Sequence, residues 1–451
     1  MKDLTTGHEG KQIFLFALPM LIGSLFQQFY NIADSMIVGR FIGTDAMAAV
    51  SGANPIMFLL TSLITGITLG FSILVSQYYG SKDLKRVKAT LDTSCLFIFI
   101  ASVIITFIGV FFSRTILEVM QTPKAILQAS SNYLIVIFMG TLFSAGYNGI
   151  SAILRGLGDS KNPLIFLIIA TVLNVVLDIV FIVFFKMGVE GVALATIIAQ
   201  GIAFIFSIVY LNKKHAILKL NFRHLVYDHA IFMKGMKLGI PSAIQQVFFS
   251  LGNVALQSLV NSFGTTVMAA FGAGLKIESL LSVPVMNLGA AVSTFVAQNM
   301  GALKFDRIKK GVNASLIMAC ALAISVAILF LSFSESLIGL FDQNPEVIQI
   351  GAQYLRTIGP AFVLIATSFM WTSAVRGAGA SVFSLISSLI SLWVARIPAA
   401  YLFSHLFGVE GIWLGIPFGW SIGWIVVFTY YRRGTWKNKS IVTPEANALA
   451  E

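Results

Sequence analysis

The chain has 451 residues, 57% of them hydrophobic and only 11% charged, against roughly 45–50% and 25% in an ordinary soluble chain. That composition excludes disorder and argues against a soluble globular protein. The formal net charge is +11, from 30 Lys and Arg against 19 Asp and Glu. The basic residues fall in short segments between apolar runs, so the excess reads as membrane topology and not as a nucleic-acid surface.

Apolar runs of about 20 residues or more, the length that crosses a bilayer core, recur along the chain. The first, 13–38, carries Pro19, Gln27, Gln28, Asn31 and Asp34 and lacks a small-residue cleavage site, which predicts a membrane span and not a signal peptide. Runs near 46–79, 91–113, 130–154, 162–185, 190–212, 236–262, 267–300, 312–333, 351–375, 382–404 and 410–431 follow, so twelve spans are expected. Cys95 and Cys320 each lie inside such a run and make no disulfide framework. With the start of the chain in the cytoplasm, 23 of the 30 basic residues fall on inside segments, and only Arg40, Arg114, Lys124 and Lys186 fall outside. The expected protein is a multi-pass protein of the plasma (inner) membrane with both termini cytoplasmic.

The chain also repeats itself. GTDAMAAVSGA, Gly43 to Ala53, matches GTTVMAAFGAG, Gly264 to Gly274, at an offset of 221. The same offset pairs Gln77 and Gly80 with Gln298 and Gly301, Tyr133 with Tyr354, and Arg155-Gly-x-Gly with Arg376-Gly-x-Gly. Two halves, 1–221 and 222–451, each with six spans, enter and leave on the same side and form a parallel repeat. Such repeats suit transporters that rock two lobes about a central site; a duplicated scaffold is the plainer alternative. No GxxxxGK[ST], HExxH or CxxC motif occurs, so neither ATP hydrolysis nor another enzyme activity is expected, and no cofactor.

Ionisable groups at membrane depth carry the chemistry, because a charge there costs several kcal/mol and marks a pathway or coupling site by default. Gln27, Tyr30, Asn31 and Asp34 follow i, i+3, i+4, i+7 and share one helical face, which must turn toward protein or water. The structural alternative is a hydrogen-bonded carboxyl that joins helices. Asn174 and Asp178, four residues apart, share a face of the fifth span, and Thr196 offers a hydroxyl in the sixth. These oxygens suit Na⁺ or protons. In the second half Asp34 aligns with Ala255 and Asp178 with Pro398, while Arg396 appears in the eleventh span. Seventh-span polarity comes instead from Ser242, Gln246, Ser250, Asn253 and Gln257. Lys276 and Glu278 read as a mutually paired structural couple, and Arg155 and Arg376 as headgroup or loop anchors.

Pro19, the Gln27-x-x-Tyr30-Asn31-x-x-Asp34 stretch with Val38-Gly39, the Gly43 run with its copy at Gly264, and the Arg155-Gly-x-Gly-Asp159 loop with its copy at Arg376 together resemble the multidrug and toxic compound extrusion (MATE) family over essentially the whole chain. The resemblance implies an all-α polytopic membrane protein with twelve transmembrane helices in two six-helix lobes forming a V. It implies a cation-coupled antiporter, driven by H⁺ or Na⁺, that exports amphipathic, often cationic organic compounds. The family's first-lobe cation site maps onto Asp34, Asn174, Asp178 and Thr196. Gln27, Tyr30, Asn31, Gln246, Asn253, Trp371 and Arg396 are the candidate lining of a substrate cavity. The expected partners are small organic substrates and membrane lipid, with no nucleic acid, and the chain is expected to act as a monomer. A flippase for lipid-linked saccharides would want a strongly cationic cavity, for which only Arg396 is plainly at depth; a channel or receptor would show no ion dependence.

Overall fold

A computed structural model describes residues 2–214 and 218–442. Among them the regular structure is helical throughout, as a bilayer demands of a chain that must satisfy its own backbone groups. The first half runs α1 (Glu9–Phe41), α2 (Thr44–Gly80), α3 (Leu84–Val119), α4 (Lys124–Met139), α5 (Thr141–Gly156), α6 (Lys161–Ile179) with a π-helical turn at Val180–Phe184, and α7 (Val189–Lys214). The second runs α8 (His229–Asn261), α9 (Thr265–Gly301), α10 (Phe305–Gly339), α11 (Pro345–Ile358), α12 (Phe362–Gly377), α13 (Ser381–Leu389), a π-helical stretch at Ile390–Arg396, α14 (Ile397–Phe407) and α15 (Val409–Arg433).

Among the described residues ten spans are single long apolar segments, and two bent helix pairs, each taken as one span, bring the number to twelve. The bends refine the fourth and tenth expected spans, which hydropathy drew as continuous runs. The α4–α5 pair bends by 50° and the α11–α12 pair by 52°. At the first bend Gly140 closes α4, and a Cβ there would overlap the Ile197 side chain, so only glycine lets α7 come this close. At the second, Gly359 and Pro360 interrupt the helix because proline brings no N–H to the ladder. Large apolar side chains such as Phe107, Phe111, Ile317 and Ile328 are exposed on the outer surfaces, where lipid covers what water would not tolerate. This is a multi-pass membrane protein.

The chain divides into two compact units: Met1–Lys2, Ile22–Tyr79 and Asp83–Gly239 in one, and Asp3–Leu21, Gly80–Lys82 and Ile240–Glu451 in the other. The division does not follow the midpoint of the sequence at 221/222. It cuts α1 just after Pro19 and α8 just before Pro241, so the opening turns of each half's first helix belong to the other half's unit. Within the first unit, Val38, Ala49, Ala53, Leu134 and Phe138 form part of a core with α7 residues Val192 and Ala193. Within the second, Phe271, Phe295, Phe330, Tyr354 and Trp413 anchor a larger core.

The repeated Arg-Gly-x-Gly segments have a packing explanation. A Cβ at Gly156 would overlap the carbonyl oxygen of Ser72, and one at Gly377 that of Ser293, the residue 221 positions on. Each glycine therefore allows close contact between backbones, α5 on α2 and α12 on α9. The following glycines, Gly158 and Gly379, sit at φ +82° and +104°, where a side chain is strained, and reverse the chain into the next span.

Candidate functional site

In the first unit, α1, α6 and α7 bring Tyr30, Asp34, Asn174, Asp178 and Thr196 together. Asp178 and Asn174 are fully buried, 0% and 1% exposed, and share one face of α6 because four residues make about one helical turn. Asp34, on α1, interacts directly with the Asp178 carboxyl. The Asn174 amide, oriented by its partners, donates from its nitrogen to Asp178 Oδ2 at 2.9 Å, and its oxygen accepts from the Thr196 backbone N–H at 3.0 Å. The Thr196 hydroxyl lies 3.3 Å from Tyr30 Oη and donates to the Val192 carbonyl at 3.1 Å.

Two atoms are left over. Oδ1 of Asp34 and Oδ1 of Asp178 are both buried and accept no hydrogen bond. A buried acceptor without a donor costs roughly 1–3 kcal/mol, more when charged, and no lysine or arginine acts on either carboxyl. The pair thus presents oxygen ligands, with nothing positive acting on it among the described residues. Immediately beyond Asp178 the helix widens into the π-helical turn Val180–Phe184, a device that re-aims side chains.

Tyr133 on α4 lies near the same cluster, since both carboxyls act electrostatically on it, although the sequence offered it only as one member of the repeated pair Tyr133/Tyr354. Gln27 and Asn31 stand beside Tyr30 and Asp34 on α1 but are exposed on the surface of this unit. In the second unit Gln246 is exposed and Asn253 half-buried, while the neighbouring Gln245 donates to the Ser384 carbonyl at 3.4 Å. Trp371 is buried and packs its ring against Trp424 and Phe428 at 5.4 and 5.0 Å. Arg396 is 6% exposed, and its Nε makes no hydrogen bond.

Lys276 and Glu278 are not a pair. Residues two apart on a helix point to different faces, and here Lys276 reaches over the Phe341 ring, 5.7 Å from its centroid, while Glu278 accepts a hydrogen bond from Tyr354. Arg155 and Arg376 are half-buried at the ends of α5 and α12.

The MatE family model matches residues 19–180 and again 241–402, so both halves carry it. The chain belongs to the MatE family. A protein of Bacillus subtilis (strain 168) described as probable multidrug resistance protein YpnP is 34% identical, over 98% of this chain and 99% of its own length. The FAD transporter of Shewanella oneidensis is 26% identical over 92% of this chain and 94% of its own. A solved structure described as an outward-facing multidrug resistance MATE family transporter of the MOP superfamily superposes with a TM-score of 0.90 at 24% identity, covering 97% of this chain and 99% of that one. This MatE chain therefore has the fold of those transporters, and the two family matches begin at Pro19 and Pro241, the prolines beside which the two units divide.

Proposed function

We propose that the chain is a cation-coupled antiporter that exports amphipathic, cationic organic compounds, with the coupling ion, H⁺ or Na⁺, held by Asp34, Asn174, Asp178 and Thr196. The observation that carries this reading is the facing carboxyl pair with two buried acceptor atoms and no protein cation beside it. Such a pair in a spanning segment calls for a positive charge, and a proton, a sodium ion or a cationic substrate can supply it in turn. Exchange of one for another is antiport. A relative described as an FAD transporter leaves the sign of the cargo open; carboxyls with no protein cation acting on them favour a positive one. Gln27 and Asn31, exposed polar groups beside Asp34 on α1, suit the approach of such a substrate. The distribution of Lys and Arg supports a plasma-membrane protein with cytoplasmic termini, acting as a monomer because one chain holds both repeats.

The test is efflux from proteoliposomes of labelled organic cations, with an anionic flavin as contrast, under separately imposed Na⁺ and H⁺ gradients. One of the two gradients is expected to drive the cations out. Equal rates with and without either gradient would remove the coupling, and efflux of the flavin alone would reverse the sign of the cargo.

A further inference from the structure

In the first unit, a cavity of about 480 Å³ opens at the C-terminal end of α7, lined by Val209, Asn212 and Lys213 of the helix and by Lys219 of the chain that follows it. Asn212 builds this arrangement. Its Oδ1 accepts from the Leu220 N–H at 2.7 Å and its Nδ2 donates to the Leu220 carbonyl at 3.3 Å, which pins the returning chain to the last turn of the helix. Leu218 and Leu220 are buried, 3% and 6% exposed, and Lys219 between them is exposed. Lys219 is thus held beside the cavity by the residues on either side of it.

Both lysines are without an acidic partner. Among the described residues neither makes an ion pair or a hydrogen bond, and no Asp or Glu lines the cavity. The carboxyl that faces α7 from the start of α6, Asp159, is taken up by Tyr210 and Asn162.

Along the helix from the lysines, α7 is built for hydrocarbon. Ile205 and Phe206, four and three residues before Val209, share its face, and Lys213 follows four residues after it. Ile205, Phe206 and Val209 are exposed on a helix apolar enough to span a bilayer. One strip therefore runs from apolar side chains to a cationic cavity. A lysine that only sets topology needs its charge on the correct side and nothing more; a pinned chain, an open cavity and an apolar strip leading to it suit an amphiphile with an anionic head. The last helix of the second half ends differently. There Trp436 is buried, stacks on Tyr431 with ring centroids 5.4 Å apart and donates its indole N–H to the Tyr431 carbonyl at 3.0 Å, so aromatic packing closes the end of α15.

We propose that Lys213 and Lys219 bind the phosphate of an anionic phospholipid whose acyl chains lie along Ile205, Phe206 and Val209. The leaflet is the one at which α7 ends, the cytoplasmic one in the orientation proposed above, and its anionic lipids supply the charge that the lysines lack. The site does not depend on which ion or cargo the chain carries. Lysine ammonium groups bind phosphate as point charges, and the apolar strip distinguishes a lipid from free phosphate, which would leave it unused.

The experiment measures binding of phosphatidylglycerol to the purified full chain by native mass spectrometry, with phosphatidylcholine and inorganic phosphate in parallel. Wild type should bind one phosphatidylglycerol in preference to phosphatidylcholine. Lys213→Ala/Lys219→Ala should weaken that binding about thirtyfold, the scale of two lysines at an anionic surface, whereas Lys213→Arg/Lys219→Arg should leave it near the wild-type value. Asn212→Ala keeps both charges but releases Leu220, and should weaken binding severalfold. Arg433→Ala/Lys437→Ala removes the same charge at the closed end of α15 and should change it little. All these side chains lie at the surface or are half-buried, so the variants are expected to fold, as thermal unfolding in the same detergent will show. Equal binding in wild type and folded Lys213→Ala/Lys219→Ala would overturn the proposal, as would an equal loss in Arg433→Ala/Lys437→Ala, which would show charge without a site. Displacement of bound phosphatidylglycerol by inorganic phosphate at the same concentration would overturn the lipid as occupant. Gradient-driven efflux, which tests the coupling site, is read separately from all of these.

Discussion

Asn174 shows how much one amide does in a dry site: it gives the Asp178 carboxyl a donor and ties α6 to the α7 backbone through the Thr196 N–H. Asn174→Ala should leave Asp178 Oδ2 buried without its donor, costing about 1–3 kcal/mol, and should weaken binding of the coupling ion. Unfolding in detergent and ion affinity check the two effects separately. Tyr30→Phe removes only a hydroxyl contact at 3.3 Å and should cost well under about 1 kcal/mol by the same unfolding measurement. At this scale Asp34, Asn174, Asp178 and Thr196 were legible because acids, an amide and a hydroxyl stand out in apolar helices, and i, i+4 spacing fixes a shared face. Tyr133 was not, since a tyrosine in a membrane span has many uses and only the surrounding fold shows which carboxyls it faces. Glu278 was misread for a physical reason. Closeness to Lys276 in sequence suggested a pair, but two residues along a helix is about 200° of rotation and sends the side chains apart.

Between helices, the glycine contacts make the fold testable. Gly377→Ala should push α12 off α9 and destabilise the protein by about 1–3 kcal/mol, because the new methyl meets backbone and not a movable side chain. Gly272→Ala on α9, where a Cβ meets nothing within 4 Å, should be neutral or stabilising. Paired thermal unfolding curves in one detergent decide this; equal loss in both variants would contradict the contact. Hydropathy revealed the number of spans and their approximate limits. It missed the bends at Gly140 and at Gly359–Pro360, because an apolar run stays apolar across a break in its hydrogen bonds. It missed the π-helical turns for the same reason: they change which way a side chain points without changing composition.

Across the whole molecule, the duplication was visible as aligned motifs, but its exchange of helix ends was not. Membership of a unit depends on packing, and the sequence offers no reason for α1 to begin in one unit and continue in the other beyond a proline at the crossing. Divergence between the halves matters as much as their likeness, since the first unit brings together two carboxyls on which no protein cation acts among the described residues, while in the second an arginine acts on the acid without ion-pair contact. The proposed exchange at the first-unit carboxyls fixes the sign of a pH effect. Protons or Na⁺ arriving at Asp34 and Asp178 cancel the charge that attracts a cationic substrate, so substrate Kd should rise as pH falls or Na⁺ rises, as equilibrium binding will show. The most direct test of coupling at the first-unit carboxyls is gradient-driven efflux of a labelled organic cation from proteoliposomes holding wild type, Asp34→Asn or Gln246→Ala. Expected is efflux in Asp34→Asn that no longer responds to the gradient although the protein is folded, and efflux in Gln246→Ala that still responds while its preference among compounds changes. Wild-type, gradient-driven efflux in folded Asp34→Asn, with the gradient response lost in Gln246→Ala, would contradict it.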